Sequence, residues 1–153
     1  MKKNIYLIVI IGIVLLGFVL YKGNAKDVKI DINKLAEGMT QNIKFKDELN
    51  ETDVDTIKML YNIDNAISQK VYISSGATAE EIAIFEFENK NDLNNALGNA
   101  NKRIEEQKES FKNYVPEELK KLDNAIITKK GNYLIICITD DENAQTIIEN
   151  YTK

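Results

Sequence analysis

The sequence predicts an α+β domain in which a four-stranded antiparallel sheet, built from two ββα units, packs against helices and follows an N-terminal apolar segment. Two pairs of β-rich runs predict the sheet. Residues 70–74 and 81–87 are joined by a loop of small residues, and residues 125–128 and 133–139 are joined by Lys130-Gly131-Asn132. Glycine and asparagine supply the positive φ of tight hairpin turns.

Helices are predicted where apolar residues recur at steps of three and four. The predicted helical segments cover residues 31–43, 53–63 and 91–114, a short segment from Pro116, and the segment after 140–142. Aspartates at the first two starts can accept hydrogen bonds from first-turn amides, and proline suits a first helical turn. Residues 46–52 are interpreted as a polar link.

The two ββα units form a weak internal repeat. An offset of 52 residues places 81–88 against 133–140, two apolar strands that each lead into a polar cap and a helix. Both alternating faces of these strands are apolar, so each strand requires cover on both sides. Helices 31–43 and 53–63, or a partner, could supply the second layer.

Residues 1–25 have the form of a signal peptide or membrane anchor. Lys2 and Lys3 precede an uncharged apolar run over residues 5–20, and a spanning helix needs roughly 17–25 such residues. Small residues up to Ala25 allow cleavage there, and retention as an anchor through residues 5–21 is the alternative. The N-terminal lysines favour an inside N-terminus, so residues 26–153 are predicted to form one soluble domain outside the cell membrane, secreted if cleaved.

The charge of the domain disfavours two classes of partner. All 24 acidic residues lie within residues 26–153, while Lys2, Lys3 and Lys22 of the 20 basic residues precede this domain. The remaining 17 bases against 24 acids give a net charge near −7. This argues against nucleic acid and anionic lipid and leaves a protein or peptide partner, with the oligomeric state open.

Few residues suit catalysis. The chain has no histidine and one cysteine, Cys137, inside an apolar run, so Ser-His and Cys-His nucleophiles and an ordinary zinc site are not expected. No phosphate-loop or calcium-loop motif is present, and neither a cofactor nor a metal is predicted. Paired acids occur at 80–81, 117–118 and 140–141, a pattern more typical of solvated faces and helix starts than of a glycosidase pair.

Three polar features remain as candidates for a binding site or a structural polar network. Gln107 is the polar member of the apolar stripe of the long helix, and Arg103, the only arginine, lies one turn before it. The loop 74–81 offers the hydroxyls of Ser75 and Thr78 beside Glu80 and Glu81, and Thr78 and Glu81 have capping-box spacing. We expect Arg103 and Gln107 to form one polar unit with this loop or a nearby carboxylate.

Several segments together form a recognisable pattern: residues 60–64 (LYNID), 75–85 (SGATAEEIAIF), Arg103 with Gln107, Tyr114 with 116–118 (PEE), and 131–133 (GNY). With these segments the chain resembles domain-of-unknown-function family 4358, small exported or lipid-anchored envelope proteins of Gram-positive bacteria. Many members carry a lipidated cysteine after the signal, which this sequence lacks. The resemblance implies an envelope location and no known activity.

These observations favour a non-enzymatic binding or interaction module of the envelope. The alternative is a carboxylate-based hydrolase of cell-wall material that uses Glu80 or Glu81. A cleft with a buried acid would support the hydrolase, and a flat apolar face rimmed by charge would support the interaction module.

Overall fold

The computed structural model describes residues 28–153, and the predicted signal peptide or anchor lies outside them. The α-helices are α1 (Ile32–Asn42), α2 (Val54–Tyr61), α3 (Lys90–Lys112), α4 (Leu119–Asp123) and α5 (Ala144–Tyr151), with a 3-10 turn at Pro116–Glu118. The strands are β1 (Asn50–Glu51), β2 (Ser68–Ile73), β3 (Glu81–Glu86), β4 (Ile126–Lys130) and β5 (Tyr133–Ile138). Within this part of the chain, no helix is long and apolar enough to span a bilayer.

The α+β class is confirmed, and the predicted strand number is wrong by one. The sheet has five strands in the order β1-β2-β3-β5-β4, and all neighbours are antiparallel. The additional strand, β1, lies in the segment interpreted as a polar link and pairs with the end of β2. Its two residues are polar and exposed, so they lack the alternation by which a strand is recognised in a sequence.

Both faces of the central strands are covered by helices, as their apolar composition predicts. One face, with Ala83, Phe85 and Ile136, packs against α2 and α3. The other face, with Ile84 and Ile135, packs against α1 and α5. The two N-terminal helices therefore do not form one layer, because α1 and α2 lie on opposite sides of the sheet. An amphipathic pattern shows that one side of a helix must be buried. It does not specify which face of the sheet that side covers.

The predicted repeat holds for the order of elements but not for their packing. Strands β3 and β5 are related by the 52-residue offset, yet their register pairs Glu81 with Ile138. Residues matched by the offset therefore point to opposite faces, since Glu81 shares a face with Ile138 and Tyr133 belongs to the other core. Helices α3 and α5 accordingly cover different faces.

The described chain begins at one end of the central strands. Val28 lies against Gly131 in the β4–β5 turn, where an added Cβ would be 2.9 Å from the Val28 side chain and where φ is +58°. Strand β3 starts at the other end, where Glu81 directly follows Glu80 and lies beside the end of β5. Six-residue strands span about 17–20 Å, so these glutamates lie far from Val28, at the opposite end of the sheet.

Candidate functional site

Two buried charged clusters meet at the start of β3. Glu80 and Glu81 are 2% and 1% exposed, and although they are adjacent in the chain their side chains contact different elements. We call the first group the Glu81 cluster, which consists of Glu81, Tyr61, Arg103 and Gln107. The second is the Glu80 cluster, which consists of Glu80, Lys121, Glu118 and the backbone of residues 46–47.

In the Glu81 cluster, three side chains donate hydrogen bonds to one carboxylate. Arg103 binds it with two prongs, Nε to Oε1 at 3.1 Å and Nη2 to Oε2 at 2.5 Å. The Tyr61 hydroxyl donates to Oε1, and Gln107 Nε2 donates to Oε2 at 3.4 Å. The guanidinium carbon also lies 5.0 Å from the centre of the Tyr61 ring, a cation–π contact that fixes the plane of the arginine.

The secondary structure positions each donor. Arg103 and Gln107 are one turn apart on α3 and therefore share a helix face. Tyr61 is the last residue of α2, which ends at Asn62 in the left-handed conformation. The Tyr61 ring packs edge-on against Phe85 of β3, with the ring centres 5.1 Å apart. The cluster thus joins α2 and α3 to the sheet.

Burial and charge set the protonation states of this cluster. Burial of the Tyr61 phenol, together with the negative charge of Glu81, raises the Tyr61 pKa well above its usual value. Burial opposes the charge of Arg103, but the hydrogen bonds and charge of Glu81 outweigh it and raise the Arg103 pKa. Near neutral pH the carboxylate is therefore bonded by a cationic guanidinium and a neutral phenol.

Gln107 is the weakly held member of the Glu81 cluster. Its Oε1 is the one buried side-chain oxygen or nitrogen in residues 28–153 that has no hydrogen-bond partner. An unsatisfied buried group costs about 1–3 kcal/mol. Gln107 therefore stabilises the cluster less than Arg103 does.

In the Glu80 cluster, a buried lysine joins two buried carboxylates. Lys121 is 1% exposed, and its Nζ lies 2.9 Å from both Glu80 Oε1 and Glu118 Oε2. Glu80 also accepts the backbone N–H groups of Lys46 and Asp47 at 2.9–3.0 Å. Glu118 accepts the backbone N–H of Ala79 at 2.9 Å, so the cluster holds two loops as well as α4.

The pKa shifts of the Glu80 cluster favour its charged form. Burial alone raises the pKa of Glu80, but the Lys46 N–H and the Lys121 ammonium outweigh it, so the pKa is lowered. Burial likewise opposes the charge of Lys121, while the hydrogen bonds that it donates to Glu80 and Glu118 raise its pKa. The ion pairs and hydrogen bonds thus compensate for the loss of hydration.

The hydroxyls of the β2–β3 loop bond within the protein. Ser75 donates to Asp47 Oδ2 through its backbone N–H at 3.1 Å and its hydroxyl at 2.5 Å. Thr78 Oγ1 donates to Glu80 at 3.3 Å. The Thr78–Glu81 spacing does not make a capping box, because Glu81 starts a strand rather than a helical turn. This loop is therefore folded onto residues 46–47.

The structure divides the candidate residues between the two clusters. Glu81, Arg103 and Gln107 lie together, whereas Ser75, Thr78 and Glu80 lie around the second carboxylate. Sequence reasoning missed Tyr61, Lys121 and Glu118. The spacing of Glu118 and Lys121, one turn apart, was the available signal for part of the second cluster.

A family model described as Domain of unknown function (DUF4358) matches residues 41–139. The chain belongs to this family. The resemblance found in the sequence is thus confirmed, and the matched span contains both clusters of the DUF4358 domain. No curated protein and no solved structure matches the chain.

Other reactive groups of the DUF4358 domain are few. Burial raises the pKa of Cys137 to about 12, so this thiol is not a nucleophile near neutral pH. Residues 28–153 contain no group of three or more histidine, cysteine or acidic side chains arranged to hold a metal ion.

The lowered pKa of Glu80 predicts a pH dependence of stability. A carboxylate whose pKa falls on folding stabilises the folded state above its ordinary pKa of 4.5, and this contribution is lost as the pH falls through the lower, folded value. We therefore expect the free energy of unfolding to decrease below about pH 4.5, and to decrease less in Glu80→Gln. Urea unfolding between pH 3 and 7 measures both slopes. An identical slope in Glu80→Gln and in the exposed control Glu142→Gln would contradict the assignment.

Proposed function

We propose that this domain is a non-enzymatic binding or interaction module, held outside a bacterial cell membrane or secreted after cleavage at Ala25, with a protein or peptide partner. The observation that carries the proposal is that Glu80 and Glu81 are both buried and bonded to protein donors. The two acids considered for catalysis therefore hold the fold together.

The alternative, a carboxylate hydrolase of cell-wall material, finds less support in this geometry. Such an enzyme needs one acid with a raised pKa and a second carboxylate across an open cleft. The pKa of Glu80 is lowered, and Glu81 accepts hydrogen bonds from Arg103, Tyr61 and Gln107. Both carboxylates are buried and bonded to donors of the protein itself, which supports a structural role for them.

The end of the sheet that carries Glu80 and Glu81, far from Val28, offers a preorganised surface for a partner. Two adjoining concavities of about 420 and 400 Å³ share Lys44 and Phe45, and the second includes Glu142. Buried or bonded acids fix the surrounding loops, because Glu80 accepts the N–H groups of residues 46–47 and Asp141 accepts that of Lys44 at 2.9 Å. Loops held in one conformation lose less entropy on binding.

Site-specific photo-crosslinking tests the proposal in cells that make the protein. In one variant a photoreactive residue replaces Glu142, at the end of the sheet that carries Glu80 and Glu81. In the other it replaces Lys129, an exposed residue close to the β4–β5 turn. We expect a discrete protein adduct from position 142 and not from position 129. Absence of an adduct at 142, or the same adducts at both positions, would overturn the proposed surface.

A wall-digestion assay separates the module from the hydrolase. We expect the purified full chain to release no soluble fragments from isolated cell walls. Release that is lost in Glu80→Gln or Glu81→Gln, while both variants keep the far-ultraviolet spectrum of the parent chain, would establish the hydrolase instead.

The proposed location is supported by the uncharged run at residues 5–20. We expect the full-length chain to fractionate with membranes or the cell exterior, and a chain that begins at Lys26 to be soluble, because the apolar run is the part that prefers lipid. Cell fractionation with immunodetection measures both. Intact full-length chain recovered freely soluble from the cytosol would contradict the expected location.

A further inference from the structure

We propose that the cleft beside Arg103 binds a carboxylate group of the partner through the second fork of the guanidinium. This inference rests on the proposed function and deepens it by naming the chemistry that the partner presents. The carboxylate belongs to a chain terminus or to an acidic side chain, two sources that the experiment below distinguishes.

The hydrogen-bond donors of Arg103 are only partly used. A guanidinium carries five N–H groups in one plane, and Glu81 takes one from Nε and one from Nη2. Nη1 makes no hydrogen bond within residues 28–153, and it is not among the buried partnerless atoms, of which Gln107 Oε1 is the one found there. Nη1 therefore contacts solvent, and with the outer N–H of Nη2 it forms a second fork that makes no hydrogen bond within the described residues.

Arg103 is one of the residues that border a small cleft. A cleft of about 180 Å³ lies between the end of α2 and the middle of α3, and Arg103, Lys102, Asn62 and Met59 are among the residues that line it. Glu81 and the Tyr61 ring hold the guanidinium in place, so its free edge is oriented before a ligand arrives. Paired N–H groups in this planar arrangement match the two oxygens of a carboxylate.

Lys102 supplies a second positive charge at the cleft. Its side chain is 76% exposed and its ion pair with Glu106, at 3.6 Å, is also exposed. Such surface pairs are weak, so Lys102 can turn toward a ligand at little cost. The remaining lining is both polar and apolar, and it includes Asn62 and Met59, which is 76% exposed.

The acidic net charge of the domain does not exclude this ligand. Glu106 also lines the cleft, where the Lys102 ammonium lies 3.6 Å from its carboxylate, and repulsion from more distant acids is screened beyond about 8 Å at physiological ionic strength. Nucleic acids and anionic bilayers need an extended positive surface, whereas one carboxylate needs one oriented guanidinium. The proposal therefore concerns a single carboxylate within a protein or peptide.

The unique arginine makes the test direct, because the arginine side-chain region of a nuclear magnetic resonance spectrum contains one Nε–H signal. The full-length chain in an uncharged detergent is titrated with N-acetyl-alanine, with the N-acetylated α-amide of aspartate, and with neutral N-acetyl-alanine amide. We expect the Arg103 signal to shift saturably with at least one of the carboxylates, with a Kd on the order of 1–10 mM, and not with the neutral amide. A response to the first compound identifies a chain terminus, and a response to the second identifies a side chain.

Matched variants on the same helix locate the site. Lys102→Gln is expected to weaken binding several-fold, and Lys112→Gln, an exposed lysine at the end of α3, is expected to leave it unchanged. Arg103→Lys is expected to abolish binding as detected at the neighbouring Asn62 amide. The main titration uses the parent chain. The proposal can therefore still be contradicted if Arg103→Lys does not fold.

Several outcomes would overturn the carboxylate site. They are no saturable shift with either carboxylate, an equal shift with the neutral amide, or equal weakening by Lys102→Gln and Lys112→Gln. Failure of the crosslink at position 142 with a positive titration would remove the proposed interaction surface and keep the carboxylate site. A discrete adduct at position 142 without a saturable titration would support the interaction surface and contradict the carboxylate site.

Discussion

Replacing Lys121 with methionine is expected to lower the free energy of unfolding by about 3–5 kcal/mol, the cost of leaving a buried charge without its partner. Lys121 Nζ lies 2.9 Å from the carboxylates of Glu80 and Glu118 and 3.9 Å from that of Asp140. Methionine has a similar length but no charge, so two buried carboxylates would repel each other without compensation. The loss therefore exceeds that of removing an exposed lysine.

The adjacent lysine provides a matched control. Lys120 lies in the same short helix and is exposed, so Lys120→Met is expected to change the free energy of unfolding by no more than about 0.5 kcal/mol. Urea unfolding followed by circular dichroism, on the chain that begins at Lys26, measures both values. Equal losses in the two variants would show that the buried ion pairs do not stabilise the domain.

A triple variant separates the lysine's charge from its packing. Combining Lys121→Met with Glu80→Gln and Glu118→Gln removes all three charges, and we expect it to recover part of the lost stability because no buried charge remains unpaired. Full recovery is not expected, since Glu80 and Glu118 also accept backbone N–H groups that an amide oxygen binds less strongly. A triple variant less stable than Lys121→Met alone would contradict the electrostatic explanation.

Local patterns were sufficient to predict most of the secondary structure. The prediction of 81–87 for β3 differs from the observed strand by one residue, and the predicted helix 31–43 brackets α1. Alternation, turn residues and helix caps are properties of neighbouring residues, which a sequence displays directly. Strand β1 was not predicted because its two residues are polar and are held by pairing with β2, where Asn50 lies opposite Ile73, 23 positions away.

The tertiary arrangement required information that local patterns lack. The sequence showed that both faces of β3 and β5 need cover, and it did not show that α1 and α2 would separate onto different faces. Register decides this, because pairing Glu81 with Ile138 determines which side chains share a face. A register depends on contacts across about 50 residues rather than on the residues of one strand.

The candidate residues illustrate the same distinction. Arg103 was recognisable because it is the only arginine and lies one helical turn before Gln107. Lys121 was not, because it is one of 19 lysines and its partner Glu80 lies 41 residues away. Glu80 and Glu81 are neighbours in sequence, yet they belong to separate clusters, because Glu80 ends the β2–β3 loop and bonds to Lys121 while Glu81 starts β3 and bonds to Arg103.

A double-mutant cycle on Arg103 and Gln107 tests whether the Glu81 cluster acts as one unit. Arg103→Lys retains the charge but loses the two-pronged geometry, and we expect a loss of about 1.5–3 kcal/mol, the value of one hydrogen bond to a charged group. Gln107→Leu is expected to cost less than about 1 kcal/mol, because its bond to Glu81 is long and its Oε1 has no partner.

The coupling between the two substitutions is the decisive quantity. Arg103 Nη2 and Gln107 Nε2 both donate to Glu81 Oε2, so removing one donor increases the dependence of the buried carboxylate on the other. We expect the double variant to be less stable than the sum of the single losses by about 0.5–1 kcal/mol or more, as measured by urea unfolding of all four chains. Strict additivity would mean that the two side chains stabilise the domain independently. In that case Glu81 would be held by Arg103 and Tyr61 alone, and Gln107 would be an incidental neighbour of the ion pair.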